Sequence, residues 1–232
     1  RGREDAMKRT ILFDTETTGL DPKKGDRVIE IAALELIDDL PTGQNFHVLI
    51  HPERDIPEEA TKVHGFRLAD LEGKPRFHEI ADAFLAFIGP DAMIAHNARF
   101  DFGFLNAELE RAGRPVLSLD RMVDTLDIAR ERYPGLPNSL DALCRRFEID
   151  LSARTTHNAL LDCRLLAEVY LELMGGRQRG LGLMMEDGAG GPVAHSYARV
   201  TNRTPRPIVP TPEELAAHSR FLEKVKEPIW SL

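Results

Sequence analysis

Asp14 and Glu16 stand one residue apart at the end of an apolar run, Thr10-Ile11-Leu12-Phe13, close to the start of the chain. Side chains alternate faces along a strand, so both carboxylates point to one side, and Ile11 and Phe13 point to the other, into the core. Two carboxylates held together beside a buried strand repel each other and are costly to desolvate. They share a proton, lie in solvent or hold a cation, and hard cations such as Mg2+ and Mn2+ take oxygen ligands. Asp-x-Glu is by itself a common loop pattern, so the weight falls on acids elsewhere in the chain.

Two further acids and one imidazole carry that weight. Asp101 follows a second short apolar run, Met93-Ile94-Ala95, at the start of a helical pattern. Asp162 heads a helical face continued by Leu166, Val169 and Leu173, and His157, five residues earlier, falls in the expected first turn. Each has an ordinary use: Asp101 as a partner of the helix dipole, Asp162 as a core acid paired with Arg164 or Arg146, His157 as a polar helix start. Taken together, three separate elements that each bring an acid to apolar surroundings fit one metal site better than three coincidences.

The elements that must position these residues follow from periodicity. Alternating and β-branched runs predict strands at Thr10–Phe13, residues 28–37 and residues 46–51, joined by short loops as an antiparallel meander. Pro57 begins a short helix that ends at His64. Ala81, Phe84, Leu85 and Ile88 mark a second helix, and residues 93–95 a fourth strand. Phe102, Leu105 and Leu109 mark a third helix, and Met122-Val123 a fifth strand that runs into a helix to Arg132. Asn138-Ser139 caps a helix over Leu140 to Phe147, and the last domain helix spans about Thr156 to Met174. This order implies an α/β fold, a mixed five-stranded sheet flanked by helices.

A chain of 232 residues holds one domain of 150–200 residues and an appendage. With 42% hydrophobic and 29% charged residues it has the composition of a globular protein, and no apolar run approaches membrane-span length. Residues 1–7 read as a lead that is disordered or foreign to the natural chain, with Met7 as a candidate start. Cys144 and Cys163 lie in helical patterns without metal-ligand spacing, as reduced core thiols of a cytoplasmic protein would. Residues 1–175 carry 22 Lys and Arg against 32 Asp and Glu, whereas residues 176–232 carry 8 against 6. Nonspecific affinity for nucleic acid comes largely from Lys and Arg. If so acidic a domain acts on nucleic acid, bound metal must offset some of the charge and something else must hold the substrate nearby.

Asp14-Thr15-Glu16-Thr17-Thr18-Gly19, His96-Asn97-Ala98-Arg99-Phe100-Asp101 and His157-Asn158-Ala159-Leu160-Leu161-Asp162 resemble the three motifs of the DEDDh exonuclease family. Val63-His64-Gly65 and Asn138-Ser139-Leu140-Asp141-Ala142-Leu143-Cys144 narrow the likeness to the proofreading exonucleases of replicative DNA polymerases. The resemblance covers about residues 8–176. It implies an RNase H-like fold and 3'→5' removal of terminal nucleotides with two divalent metal ions, Mg2+ or Mn2+. By the same resemblance Asp14 bridges both ions, Glu16 and Asp162 complete the shell of the first, and Asp101 helps to hold the second. His157 is the general base, a task suited to an imidazole that titrates near neutrality. Glu59 and His64 match positions that contact the terminal nucleotide; the other reading is that both are solvated helix residues. Asn97 is expected to cap a helix.

Beyond residue 176 the character changes to a Pro- and Gly-rich tail with one short amphipathic helix at about Pro212 to Lys226. Gln178-Arg179-Gly180-Leu181-Gly182-Leu183 resembles a sliding-clamp-binding motif, with Gln178, Leu181 and Leu183 as anchors. The segment from Glu214 to Trp230 resembles the part of such a subunit that anchors to the polymerase catalytic subunit. Tethering would raise the local concentration of the exonuclease at a primer 3' end without a basic patch. Two other readings use the same residues: a stand-alone DEDDh exonuclease acting on RNA or repair intermediates, and an idle adaptor joining polymerase to clamp. The intact set of four acids and His157 argues against the adaptor, which needs none of them.

Overall fold

The computed structural model describes residues 7–152, 154, 156–176 and 210–224. Five strands form one sheet: β1 (Arg9–Thr17), β2 (Val28–Ile37), β3 (Leu40–Leu49), β4 (Ala92–Ala95) and β5 (Met122–Asp124), in the order β3-β2-β1-β4-β5. The first three pair antiparallel as a meander, and β1–β4 and β4–β5 pair parallel. Parallel neighbours need crossovers, which α-helices supply: α1 (Glu58–His64) and α2 (Phe77–Ile88) precede β4, and α3 (Ala98–Arg111) joins β4 to β5; α4 (Thr125–Arg132), α5 (Leu140–Arg146) and α6 (Ala159–Leu173) follow β5. This is the mixed, helix-flanked sheet that the sequence predicts.

Both faces of the central strand are covered. Ile11 and Phe13 on one face pack with Phe77, Phe84, Phe102 and Leu105 from α2 and α3. Leu12 on the other face packs with Leu143, Cys144, Cys163 and Leu166 from α5 and α6. Because side chains alternate, Asp14 and Glu16 emerge on the α6 side of β1. The strand is longer than its apolar run: it continues through both acids to Thr17, with a register shift between Glu16 and Thr17. The acids therefore lie inside the strand rather than beyond its end, held by pairing of Asp14 with Ala32 and of Glu16 with Glu30. β3 also begins earlier than its alternating apolar residues, at Leu40, because the hairpin at Asp38-Asp39 is tight and both turn residues take positive φ.

Gly19 follows the motif for a steric reason: a Cβ there would lie 2.3 Å from Asp26 Oδ2. α6 starts at Ala159, with Asn158 as its N-cap, so His157 precedes the helix instead of sitting in its first turn. The Asn158 side chain accepts from Leu161 N–H at 3.1 Å, which fixes the start there. Ser139 caps α5 as expected, accepting from Ala142 N–H at 3.3 Å.

Residues 210–224 belong to a second unit and hold α7 (Pro212–Leu222). Its start is a capping box in which Thr211 Oγ1 accepts from Glu214 N–H and Glu214 accepts from Thr211 N–H. It ends a turn before the expected Lys226. Among the described residues no helix is long and apolar enough to cross a membrane.

Candidate active site

One cavity of about 650 Å³ collects the chemistry-bearing residues. Asp14, Glu16, Asp101, His157 and Asp162 all line it, and so do Glu59 and His64 from α1. Gln178, Leu181, Leu183 and Trp230, with the lead 1–6, lie outside the described residues.

Each acid has a distinct environment. Asp101, in the first turn of α3, is buried and accepts from Thr15 Oγ1 at 2.7 Å. That bond ties α3 to β1, at the residue between the two strand acids. Burial pushes Asp101 up to about 7 despite the hydrogen bond. Glu16 rises to about 8, first through burial and then through the charges of Asp162 and Glu30. Asp14 is pushed well above the usual carboxylate range by burial and by Asp101 and Glu16. Three carboxylates that resist ionising beside one another are a site short of positive charge.

Asp162 differs. Burial would raise it, but His157 and Arg154 hold it below the usual range. Arg154 grips it with both prongs, Nε to Oδ1 at 2.6 Å and Nη2 to Oδ2 at 2.7 Å, and its Nη1 bonds Asp141. In the ordinary reading of Asp162 as a paired core acid, the partner is Arg164 or Arg146. Arg146 instead bonds Asn138 and Pro137 and stacks over Tyr133. The residue missed is Arg154, whose one sequence signal is a lone basic side chain three positions before His157 in a loop rich in Ser and Thr.

His157 is half exposed, with Nδ1 2.9 Å from Arg154 Nη2 and 3.4 Å from Asp162 Oδ2. A neutral ring accepts from the guanidinium there; a protonated one donates to Asp162. Ligand atoms of Glu16, His157 and Asp162 lie within 4.8 Å of one another, the spacing of a shared cation, and Asp14 and Asp101 line the cavity beside them. Oxygen-rich donors with one imidazole suit a hard divalent cation. The residues therefore fit a divalent metal.

The two residues on α1 divide. Glu59 is exposed at the mouth, whereas His64 is buried, with its Nδ1 accepting from Phe66 N–H at 3.0 Å. The remaining nitrogen, Nε2, thus carries the proton and can donate. Burial and the charge of His157 lower the affinity of His64 for a second proton. Asn97 stands at the N-cap of α3 but its side chain makes no capping bond. It has left-handed backbone, which Asn tolerates, and its N–H donates to Asp124 Oδ1 at 3.0 Å.

Residues 11–170 match the model of the exonuclease family. The chain is 47% identical over 221 residues to a DNA polymerase III subunit epsilon of Rickettsia conorii, covering 94% of this chain and 96% of that one. It is 40% identical over 233 residues to the subunit of the same name from Escherichia coli, covering 96% and 95%. Among solved structures it is similar to exonuclease X in complex with 5' overhanging duplex DNA, at 27% identity and TM-score 0.56, covering 71% of this chain and 90% of that one. Exonuclease I, at 19% identity and TM-score 0.64, covers 72% of this chain and 40% of its own, and shares the fold. The chain belongs to the exonuclease family, as a 3'→5' proofreading exonuclease of its DNA polymerase III epsilon branch.

Proposed function

We propose that 3'-terminal nucleotides are hydrolysed in the cavity of Asp14, Glu16, Asp101 and Asp162, with His157 as general base and two divalent ions, Mg2+ or Mn2+, as cofactors. The observation that supports this reading most is the crowding of acids. Asp14, Glu16 and Asp101 all have raised pKa values, and Arg154 is the one Lys or Arg that lines the cavity among the described residues. Divalent ions bound there would neutralise the site, lower the pKa of water and stabilise the charge that develops on phosphodiester oxygens. In this reading Asp14, Glu16 and Asp162 would hold one ion, and Asp14 with Asp101 from α3 would hold the other. The protein's own contribution is to hold these oxygens on rigid strand and helix positions, and to offer an imidazole at the rim that can take a proton.

His64 Nε2–H, buried on the cavity wall, is suited to donate to an oxygen of the terminal nucleotide, and Glu59 at the mouth to accept from its 3'-OH. Acceptance from a free hydroxyl would explain a preference for chain ends. We place the enzyme in the bacterial cytoplasm, consistent with two free, buried thiols. Residues 8–176 form the exonuclease domain in this reading. Residues 177–232 form a tail that carries a clamp-binding motif at Gln178, Leu181 and Leu183 and a polymerase anchor ending at Trp230.

The test is degradation of a 3'-mismatched primer-template with Mg2+, by the protein alone and with its polymerase catalytic subunit. Cleavage should increase with polymerase and lose that increase when residues 177–232 are removed. Cleavage indifferent to both, with single-stranded RNA cut equally well, would instead mean a free-standing nuclease.

A further inference from the structure

We propose that Arg154 is an internal latch: it competes with a divalent cation for Asp162, caps the lone pair of His157, and must withdraw for the site to become active. The proposal rests on the metal site proposed above and adds a residue that competes for it.

Three observations carry it. Arg154 engages both oxygens of Asp162 in a fork, at 2.6 and 2.7 Å, and so takes up one of the three residues that cluster with cation-binding spacing. The same guanidinium reaches a second member of that cluster, with Nη2 2.9 Å from His157 Nδ1. Its side chain is only 9% exposed, and its third contact, Asp141, is 41% exposed at the edge of the site.

The consequences follow from chemistry. A guanidinium is always charged and only donates. Bound to His157 Nδ1, it fixes the neutral ring with its proton on Nε2, and a neutral imidazole has one lone pair. That lone pair is the one a general base needs, and here it is occupied. A fixed positive charge on Asp162 also opposes a divalent ion held by Glu16 and Asp162. Metal loading and exposure of the base are thereby one event: both require Arg154 to leave Asp162 and His157. Asp141 contacts Nη1, the prong that touches neither of the others, and so helps to hold the guanidinium in the latched position.

A different role would give the opposite result. If Arg154 simply buttressed Asp162 as an outer partner of a metal ligand, its removal would weaken metal binding, typically ~10–100-fold. The test is calorimetric titration of Mn2+ into the full-length protein without DNA, for wild type and Arg154→Met, which keeps the apolar stem. The latch predicts binding at least about tenfold tighter in the variant. It also predicts that 15N signals of the His157 ring in wild type report Nε2–H without metal and change on adding Mg2+. In Arg154→Met the ring should already be released before metal is added. Affinity that is unchanged or weaker in Arg154→Met overturns the latch and leaves the metal site standing. Absence of Mn2+ binding in wild type and variant alike overturns the metal site and the latch with it. Should Arg154→Met not fold, Asp141→Asn decides: it removes the contact that holds Nη1 in the latched position without touching Asp162 or His157, and must also tighten binding; unchanged or weaker affinity there refutes the proposal.

Discussion

The carboxylate of Glu30 on β2 accepts from the backbone N–H of Ala159, the first residue of α6, at 3.1 Å. The same group accepts from the Asn158 side chain at 3.1 Å, lies 2.7 Å from His47 Nε2, and is fully buried. Glu30 also stands opposite Glu16 in the strand register. One buried acid thus fixes the start of the helix that carries Asp162 against the strand that carries Asp14 and Glu16. Glu30→Ala removes a charge that disfavours ionisation of its neighbours, but it also strands the buried Ala159 N–H and the half-buried Asn158 amide. The second effect dominates, at roughly 2–4 kcal/mol of lost stability, and exonuclease rate should fall with it. Thermal unfolding and rate on the same preparation check this; a variant with wild-type stability would show that α6 is positioned by packing alone.

Without metal, stability should fall as pH rises through neutrality. Glu16 and Asp101 have folded-state values of about 8 and about 7, above their ordinary values of 4.5 and 3.8. Between the ordinary and the raised value, the folded form holds a proton that the unfolded form has released. The slope of stability against pH is therefore negative over that window. The melting temperature in EDTA should be higher at pH 5 than at pH 8, and Mg2+ should stabilise more at pH 8. A flat profile in EDTA would mean that the acids are not crowded in solution.

His157→Ala should reduce the rate ~10²–10⁴-fold, as loss of a general base does, with Mn2+ affinity altered much less. The placing of His157 within ligand distance of Glu16 and Asp162 makes the affinity measurement informative. A loss of affinity as large as the loss of rate would make His157 a ligand instead of a base.

Asp14→Asn takes away one of the mutually repelling charges while keeping the side chain's shape. The metal-free variant should melt higher than wild type at pH 8, and lose the stabilisation that Mg2+ confers. A lower melting temperature in EDTA would contradict the electrostatic description of the site. Stability gained by removing a functional charge is the usual trade at a strained site.

Much of this arrangement is written in local patterns. Periodicity locates the five strands and the helices, since the apolar faces that set the period are the ones that bury. The motif residues reach one cavity because β1, α3 and α6 each carry one patch of acid next to a core stripe. Long-range partners are not legible in this way. Arg154 sits in an irregular loop without periodicity, and its grip on Asp162 depends on how that loop folds back. Glu30 reads as the polar member of an apolar strand, and only the register opposite Glu16 and the approach of α6 give it a role. The start of α6 two residues beyond His157 follows from Asn158, whose side chain competes for the cap and leaves the imidazole outside the helix.

The most direct measurement is release of the 3'-terminal nucleotide from a mismatched primer-template in Mg2+, comparing wild type with Asp14→Ala at matched folded concentration. Asp14 lies at the centre of the acid cluster, so its loss should abolish hydrolysis while leaving association with the polymerase subunit intact. Release by Asp14→Ala at a rate close to wild type would show that hydrolysis is performed elsewhere on the chain.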